Sequence, residues 1–204
     1  MFIPKNMVMS GDNAIIDFIA HHGFALMVSP TQEATHLPLI LEPSEGPKGV
    51  LYGHLAKANP HWKQLSGQRV LIVFQGPHAY ISPTWYRRKP AVPTWNYAAV
   101  HCYGTVEFLD ASETLASLEQ LTAKYEPELL HANDTMPDEF VDKLSHAIVG
   151  IRIVLDDILA KEKLGQHRSQ DDQQGVVAGL CSQDSLEAEM LVQYMRQRHL
   201  GTGE

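Results

Sequence analysis

Val50-Leu51-Tyr52-Gly53-His54-Leu55, then Asn59-Pro60-His61-Trp62-Lys63-Gln64-Leu65-Ser66-Gly67, then Val70-Leu71-Ile72-Val73-Phe74 set an apolar strand, a capped helix signature and a second apolar strand end to end. Asn59 is a good N-cap, Pro60 suits the first helical position and Gly67 sits just past the last. The flanks decide which fold this unit belongs to. Upstream, residues 24–29 and 35–41 read as strands around a polar stretch at 30–33. Pro38 cannot donate to a ladder, so the second of these is an edge strand or carries a bulge. Residues 42–49 hold two Pro and two Gly and read as a turn. Downstream, residues 98–109 alternate as a long strand, whereas residues 75–97, rich in Pro, Trp and Tyr, show no period and read as a long loop that is functional or holds short strands the pattern does not resolve. Apolar spacing predicts helices over 12–20, 114–125, 137–146, 171–180 and 185–198, and a strand over 147–155. Strands gather before Leu109 with helices inserted and appended, and the alternating rhythm of a doubly wound sheet is absent. The expected class is α+β with an antiparallel sheet.

The chain has 204 residues, which at ~150 per domain suggests one domain with a small appendage. Hydrophobic residues make up 44% and charged residues 20%, close to globular averages, which excludes disorder, collagen and coiled coil. Sixteen Lys and Arg stand against 24 Asp and Glu, a net charge of -8, so a nucleic-acid surface would need a local basic patch. The two cysteines, Cys102 and Cys181, are too few for a disulfide framework and fit a reducing compartment. Met1 to Asn6 lacks the pattern of a secretory signal, and no apolar run approaches the ~18 residues of a membrane span. The expected location is the cytoplasm.

Chemistry concentrates in three places. The start of the Pro60 helix offers backbone N–H groups and the positive end of a dipole, with Lys57 just before the cap, which suits a phosphate; every helix has such a start, however, and most are simply hydrated. Phe74-Gln75-Gly76-Pro77, Tyr80 to Tyr86 and Pro93-Thr94-Trp95-Asn96-Tyr97 mix flat rings with amides and hydroxyls, as a planar heterocycle requires, and as the Pro-braced plug of a barrel end also would. Lys161, Lys163, His167 and Arg168 form a positive group suited to an anion or to a solvated turn. Eleven histidines include His54 and His61, but no recognised metal spacing is present and no metal site is expected. Cys102 lies within a strand and reads as a small buried hydrophobe. Glycine-rich phosphate loops, the dinucleotide fingerprint and the nucleophile elbow are all missing from the sequence.

The chain resembles PaiB-type proteins, a family of FMN-binding negative transcriptional regulators built on the FMN-binding split barrel. The segments that carry the resemblance are Met1-Phe2-Ile3-Pro4, Thr35-His36-Leu37-Pro38, Gly53 to Trp62, Phe74 to Pro77, Tyr80 to Tyr86, Val92 to Tyr97, Lys163 to Arg168 and Gly175 to Leu180. In the tail the family pattern Lys-x-Ser-Gln-Asn-Arg is replaced here by Lys163-Leu164-Gly165-Gln166-His167-Arg168. The resemblance implies a six-stranded antiparallel split β-barrel with peripheral helices over residues 1–160, and a helical extension over 161–204. It implies a homodimer with FMN at the subunit interface. Thr35 and His36 would face the isoalloxazine ring, and His54 belongs to the same cofactor-binding set. Lys57 and Asn59 would take the phosphate, while Trp95, Asn96, Lys163 and Gln166 would come from the partner subunit.

Three functions fit these features. The first is a flavin-binding regulator, which the family implies and the net charge opposes, no helix-turn-helix being evident. The second is an FMN-dependent oxidoreductase acting on a small molecule, with the redox chemistry carried by the cofactor. The third is a haem-handling split barrel, suggested by the abundance of histidine.

Overall fold

The computed structural model describes residues 1–132 and 134–204. Among these residues seven strands form one sheet: β1 (Phe24–Val28), β2 (Ala34–Pro38), β3 (Ile40–Glu42), β4 (Val50–Ala56), β5 (Arg69–Ile81), β6 (Thr94–Phe108) and β7 (Ile148–Lys163), in the order β2-β1-β5-β6-β7-β4-β3. Among the described residues five α-helices accompany them: α1 (Asp12–His21), α2 (Ala111–Tyr125), α3 (Asp138–Ser145), α4 (Gln170–Cys181) and α5 (Leu186–Arg198). The chain divides into two compact units, one of residues 16–74 and 101–158, the other of 1–15, 75–100 and 159–204.

In the first unit, the α+β class and the antiparallel pairing agree with the sequence reading, but there are seven strands where six are expected. The difference arises at Leu39. The segment expected as one strand over 35–41 pairs with β1 as far as Phe24 opposite Pro38, and then with β4 from Ile40 opposite Tyr52. Between them the Leu39 amide leaves the ladder and donates to Gly23 O at 2.8 Å. Pro38, with no N–H to offer, ends the first pairing. One residue thus separates β2 and β3, which occupy opposite ends of the strand order, so the sheet curls until its two edges meet. Alternation sends Met27, Leu37, Leu51, Ile72, Phe74, Ile151, Ile153 and Leu155 into a fully buried core. Cys102 is buried among the same strands, as expected. A capping box of Asp110 and Glu113 starts α2.

The second unit corrects the reading of residues 75–97 as a loop. β5 continues through Gly76-Pro77 to Ile81, a short 3-10 turn covers Pro83–Trp85, and β6 already begins at Thr94. The core here is formed by Ala79, Ile81, Tyr86, Leu164, Val176, Leu180, Ala188, Leu191, Val192 and Met195, with α4 and α5 covering one face of the strands. Gly175 and Gly179 of α4 lie against Trp85, and a Cβ on either would meet it at 2.1 and 2.2 Å. That contact explains why the motif Gly175 to Leu180 accompanies Trp85 in the sequence. Glu162, fully buried, accepts from Tyr194 Oη (2.6 Å) and from Arg198 Nε and Nη2 (2.7 and 3.2 Å), which ties α5 to β7. No helix among the described residues is long and apolar enough to cross a membrane.

Candidate functional site

In the first unit the Asn59-Pro60 turn differs from its expected form. It is a 3-10 segment, Pro60–Gln64, and not an α-helix. Its cap amide is already occupied, since His61 N donates to Asn59 Oδ1 at 3.1 Å. Lys57 Nζ donates to His146 O at 2.7 Å, and Lys57 O accepts from Trp62 Nε1 at 3.0 Å. The turn therefore uses these donors to hold itself together.

Thr35 and Asn59 meet in a small polar cluster. Asn59 Nδ2 donates to Thr35 Oγ1 at 3.1 Å, and Thr35 Oγ1 lies 2.8 Å from His61 Nδ1. His61 is fully buried, and its Nε2 is the one buried side-chain N or O without a partner among the described residues. Burial lowers the His61 pKa below the usual histidine value against the nearby Glu33 carboxylate, so the ring is neutral at pH 7. Sequence reading missed His61 as part of this cluster. Its only early signal was its place two residues after the cap. His36 points to the other side of β2, where it stacks on exposed Phe24 with ring centroids 5.9 Å apart and planes 17° from parallel. His54 on β4 is half-buried, and burial lowers its pKa.

The second unit presents an open sheet face. Period-2 alternation on three neighbouring strands sets His78 and Tyr80 of β5, Trp95 and Tyr97 of β6, and Lys161 and Lys163 of β7 on one side. Contacts confirm the alignment. Trp95 lies 6.2 Å from both His78 and Tyr80, the latter edge-on, and Lys161 Nζ stands 5.1 Å over the Tyr97 ring. Lys163 Nζ donates to Trp95 O at 2.8 Å and to Thr94 Oγ1. Trp95 is 53% exposed and Tyr80 44% exposed, large aromatic surfaces left in solvent. Asn96, buried, turns the other way, toward Gly165. Gln166 braces its own loop: Oε1 accepts from Leu164 N, and Nε2 donates to Glu162 O and Asn6 O. Sequence reasoning grouped Lys161 and Lys163 as suited to an anion or to a solvated turn, ended the strand at residue 155, and did not single out His78. Alternation of Lys161 and Lys163 with Glu162 and Leu164 was the signal available for the lysines.

The set expected to bind cofactor thus falls into two groups: Thr35 with Asn59 in the first unit, and Trp95 with Lys163 in the second. Among the described residues no group of His, Cys, Asp or Glu suits a metal ion.

A curled antiparallel sheet whose consecutive strands β2 and β3 form its two edges, accompanied by helices, is the fold of the split-barrel class. The chain belongs to the family described as "Putative FMN-binding domain", which it matches over residues 1–157, and its cofactor is FMN. It is similar to Protease synthase and sporulation protein PAI 2 of Bacillus subtilis, 35% identical over 206 residues, covering 97% of this chain and 98% of that one. An uncharacterized protein of Emericella nidulans, AN0679, is 31% identical over 209 residues and 83% of each chain. Among solved structures, the FAD and heme binding protein from Mycobacterium smegmatis shares the fold at a TM-score of 0.55 and 13% identity, over 77% of this chain and 73% of that one. The PaiB resemblance read from the motifs is therefore established.

The residues present fit FMN. The sheet face of the second unit offers the exposed rings of Trp95 and Tyr80 for the isoalloxazine and the half-buried Lys163 ammonium for a phosphate.

Proposed function

We propose that the protein is a homodimeric FMN-binding negative regulator of transcription of the PaiB type. The open aromatic and basic face carries the flavin part of this reading: Trp95 and Tyr80 leave ring surface in water that a soluble monomer gains nothing by exposing. Thr35, His36, His54, Lys57 and Asn59 of one copy, with Trp95, Asn96, Lys163 and Gln166 of the other, make up the cofactor site in this proposal. Support for the dimer comes from β1 and β5, where Leu26, Val28, Leu71 and Val73 are cross-strand neighbours left half-buried on the side opposite Met27 and Ile72. The regulatory role rests on end-to-end similarity to PAI 2. Two free cysteines are consistent with a cytoplasmic home.

A second reading, an FMN-dependent oxidoreductase, is favoured by the net charge of -8, which opposes duplex DNA. Bound FMN supplies one- and two-electron transfer, and the chain binds and orients it. Reconstitution with FMN followed by fluorescence quenching, native mass and a gel shift at physiological salt separates the readings. A yellow dimer that retards duplex DNA is the expected regulator. A yellow dimer that ignores DNA and oxidises a reduced nicotinamide leaves the oxidoreductase. A monomer that leaves FMN fluorescence unchanged defeats both.

A further inference from the structure

We propose that the loop at residues 86–90 of the second unit grips the phosphates of duplex DNA through Arg87, Arg88 and Lys89; the inference rests on the regulator reading and supplies the contact surface that reading needs. The charge of -8 that opposes duplex DNA is unevenly held. The first unit, residues 16–74 and 101–158, has seven Lys and Arg against sixteen Asp and Glu. The second has nine against eight. All the excess acid thus lies in the first unit, and the second is slightly basic. Within the second, residues 75–100 carry Arg87, Arg88 and Lys89 in a row and no Asp or Glu. This is a local basic patch of the kind a polyanion requires of an otherwise acidic chain.

The loop is fixed by its backbone and leaves its charges in water. Asp172 of α4, 1% exposed, accepts from Arg87 N at 2.8 Å and from Arg88 N at 3.0 Å, both on Oδ1. A buried carboxylate therefore anchors the two amides and takes no hydrogen bond from either guanidinium. All three cationic residues are exposed. Arg87 meets Asp171 only at 3.8 Å, with 82% and 61% of the two side chains in solvent, a pairing worth little. Among the described residues the Arg88 guanidinium has no hydrogen-bond or ion-pair partner. Lys89 Nζ gives one N–H to Pro83 O and keeps two. Guanidinium groups hold phosphate through paired N–H donors, so two adjacent arginines on a braced loop suit a phosphate backbone. Phosphate contacts come from any element, and the missing helix-turn-helix does not count against this one. An anionic membrane takes about four to eight clustered cations, more than the loop supplies.

The test follows the anisotropy of a labelled random-sequence duplex mixed with the full chain, reconstituted with FMN, from ~0.05 to ~0.2 M salt. It compares wild type, Arg88→Ser, the triple variant Arg87→Ser/Arg88→Ser/Lys89→Ser, and Lys143→Ser from the acidic unit. Serine keeps the amides that Asp172 holds, so the anchor survives. The triple variant should bind about tenfold or more weakly at ~0.15 M salt, and its plot of log K against log salt should flatten by about 2–3 for each loop engaged, each phosphate contact contributing ~0.9. Arg88→Ser should flatten the plot by about 1, and Lys143→Ser should leave it unchanged. Should the triple variant fail to fold, Arg88→Ser decides. An unchanged slope, or an equal loss from Lys143→Ser, overturns the loop and leaves the regulator reading intact, with DNA held elsewhere. Binding to phosphatidylserine vesicles but not to the duplex overturns it in favour of a membrane. No binding to the duplex even at ~0.05 M salt overturns the loop and the regulator together. Selection from a pool of random sequences judges the regulator by itself: loop-dependent binding that enriches no sequence keeps the loop and removes the operator, because phosphate contacts carry no sequence information.

Discussion

Arg198 grips the fully buried carboxylate of Glu162 through two hydrogen bonds, at 2.7 and 3.2 Å, from the last turn of α5. Removing one partner leaves the other charge buried and unpaired. Arg198→Met should therefore destabilise the chain by about 3–5 kcal/mol, and adding Glu162→Gln should recover a substantial part of that loss. Equilibrium denaturation of the two variants checks this. A single variant within about 1 kcal/mol of wild type, the worth of an exposed pair, would show that the bridge matters no more than one on the surface.

Trp85 separates two glycines that look alike in the sequence. An added Cβ at Gly179 meets the indole ring, whereas at Gly175 it meets the Trp85 carbonyl. Gly179→Ala should cost about 1–3 kcal/mol, as overpacked cores do, and Trp85→Leu should restore part of it. Gly175→Ala should resist the same rescue, because backbone cannot be trimmed. Thermal midpoints of the single and double variants decide between these outcomes.

Much of the architecture was visible in the residues, and the failures share a cause. β1, β4, α2 and α5 stand within a few residues of where periodicity put them; β1, β4 and α5 each bury an apolar stripe, whereas α2 buries Thr114 and Ser117 and leaves its leucines half-buried. Residues 75–81 were hidden because Gly76-Pro77 imitates a loop, yet Ala79 and Ile81 keep period 2 on either side of exposed Tyr80. The end of β7 was hidden because Lys161-Glu162-Lys163 looks like solvated charge. One of those charges points inward, to an arginine from a helix near the end of the chain, and no local pattern predicts that. The division at Leu39 is likewise a matter of tertiary pairing: nothing in Leu37-Pro38-Leu39-Ile40 announces that its two halves join different edges of a sheet. Thr35 and Asn59 were legible as candidates, but the histidine that joins them was not.

The two thiols should react unequally. Burial pushes the Cys102 thiol up to about 12, so it carries almost no thiolate at pH 8, whereas Cys181 is exposed on α4. Titration with a chromogenic disulfide reagent should release one equivalent per native chain and two in denaturant. Two fast equivalents from native protein would mean that the barrel core opens far more readily than its packing implies.

Acid should weaken the fold in a window set by histidine. His22, His54, His61 and His101 all have pKa values lowered by burial, which disfavours their charged forms in the folded state. The unfolded chain therefore binds more protons as the pH drops past ~6.5, and the stability these neutral rings contribute, complete above that value, declines until the folded-state pKa values are passed. Asp172 acts lower down. Its carboxylate accepts from the Arg88 and Arg87 amides, which lowers its pKa, so its share is lost only as the pH falls below the ordinary carboxylate range. Denaturant midpoints from pH 8 to 5 should fall in wild type. The fall should be shallower in His61→Gln, which keeps a polar side chain beside Thr35 but cannot take up a proton. An identical slope in the variant would remove His61, the most deeply buried of these histidines, from the account of acid sensitivity.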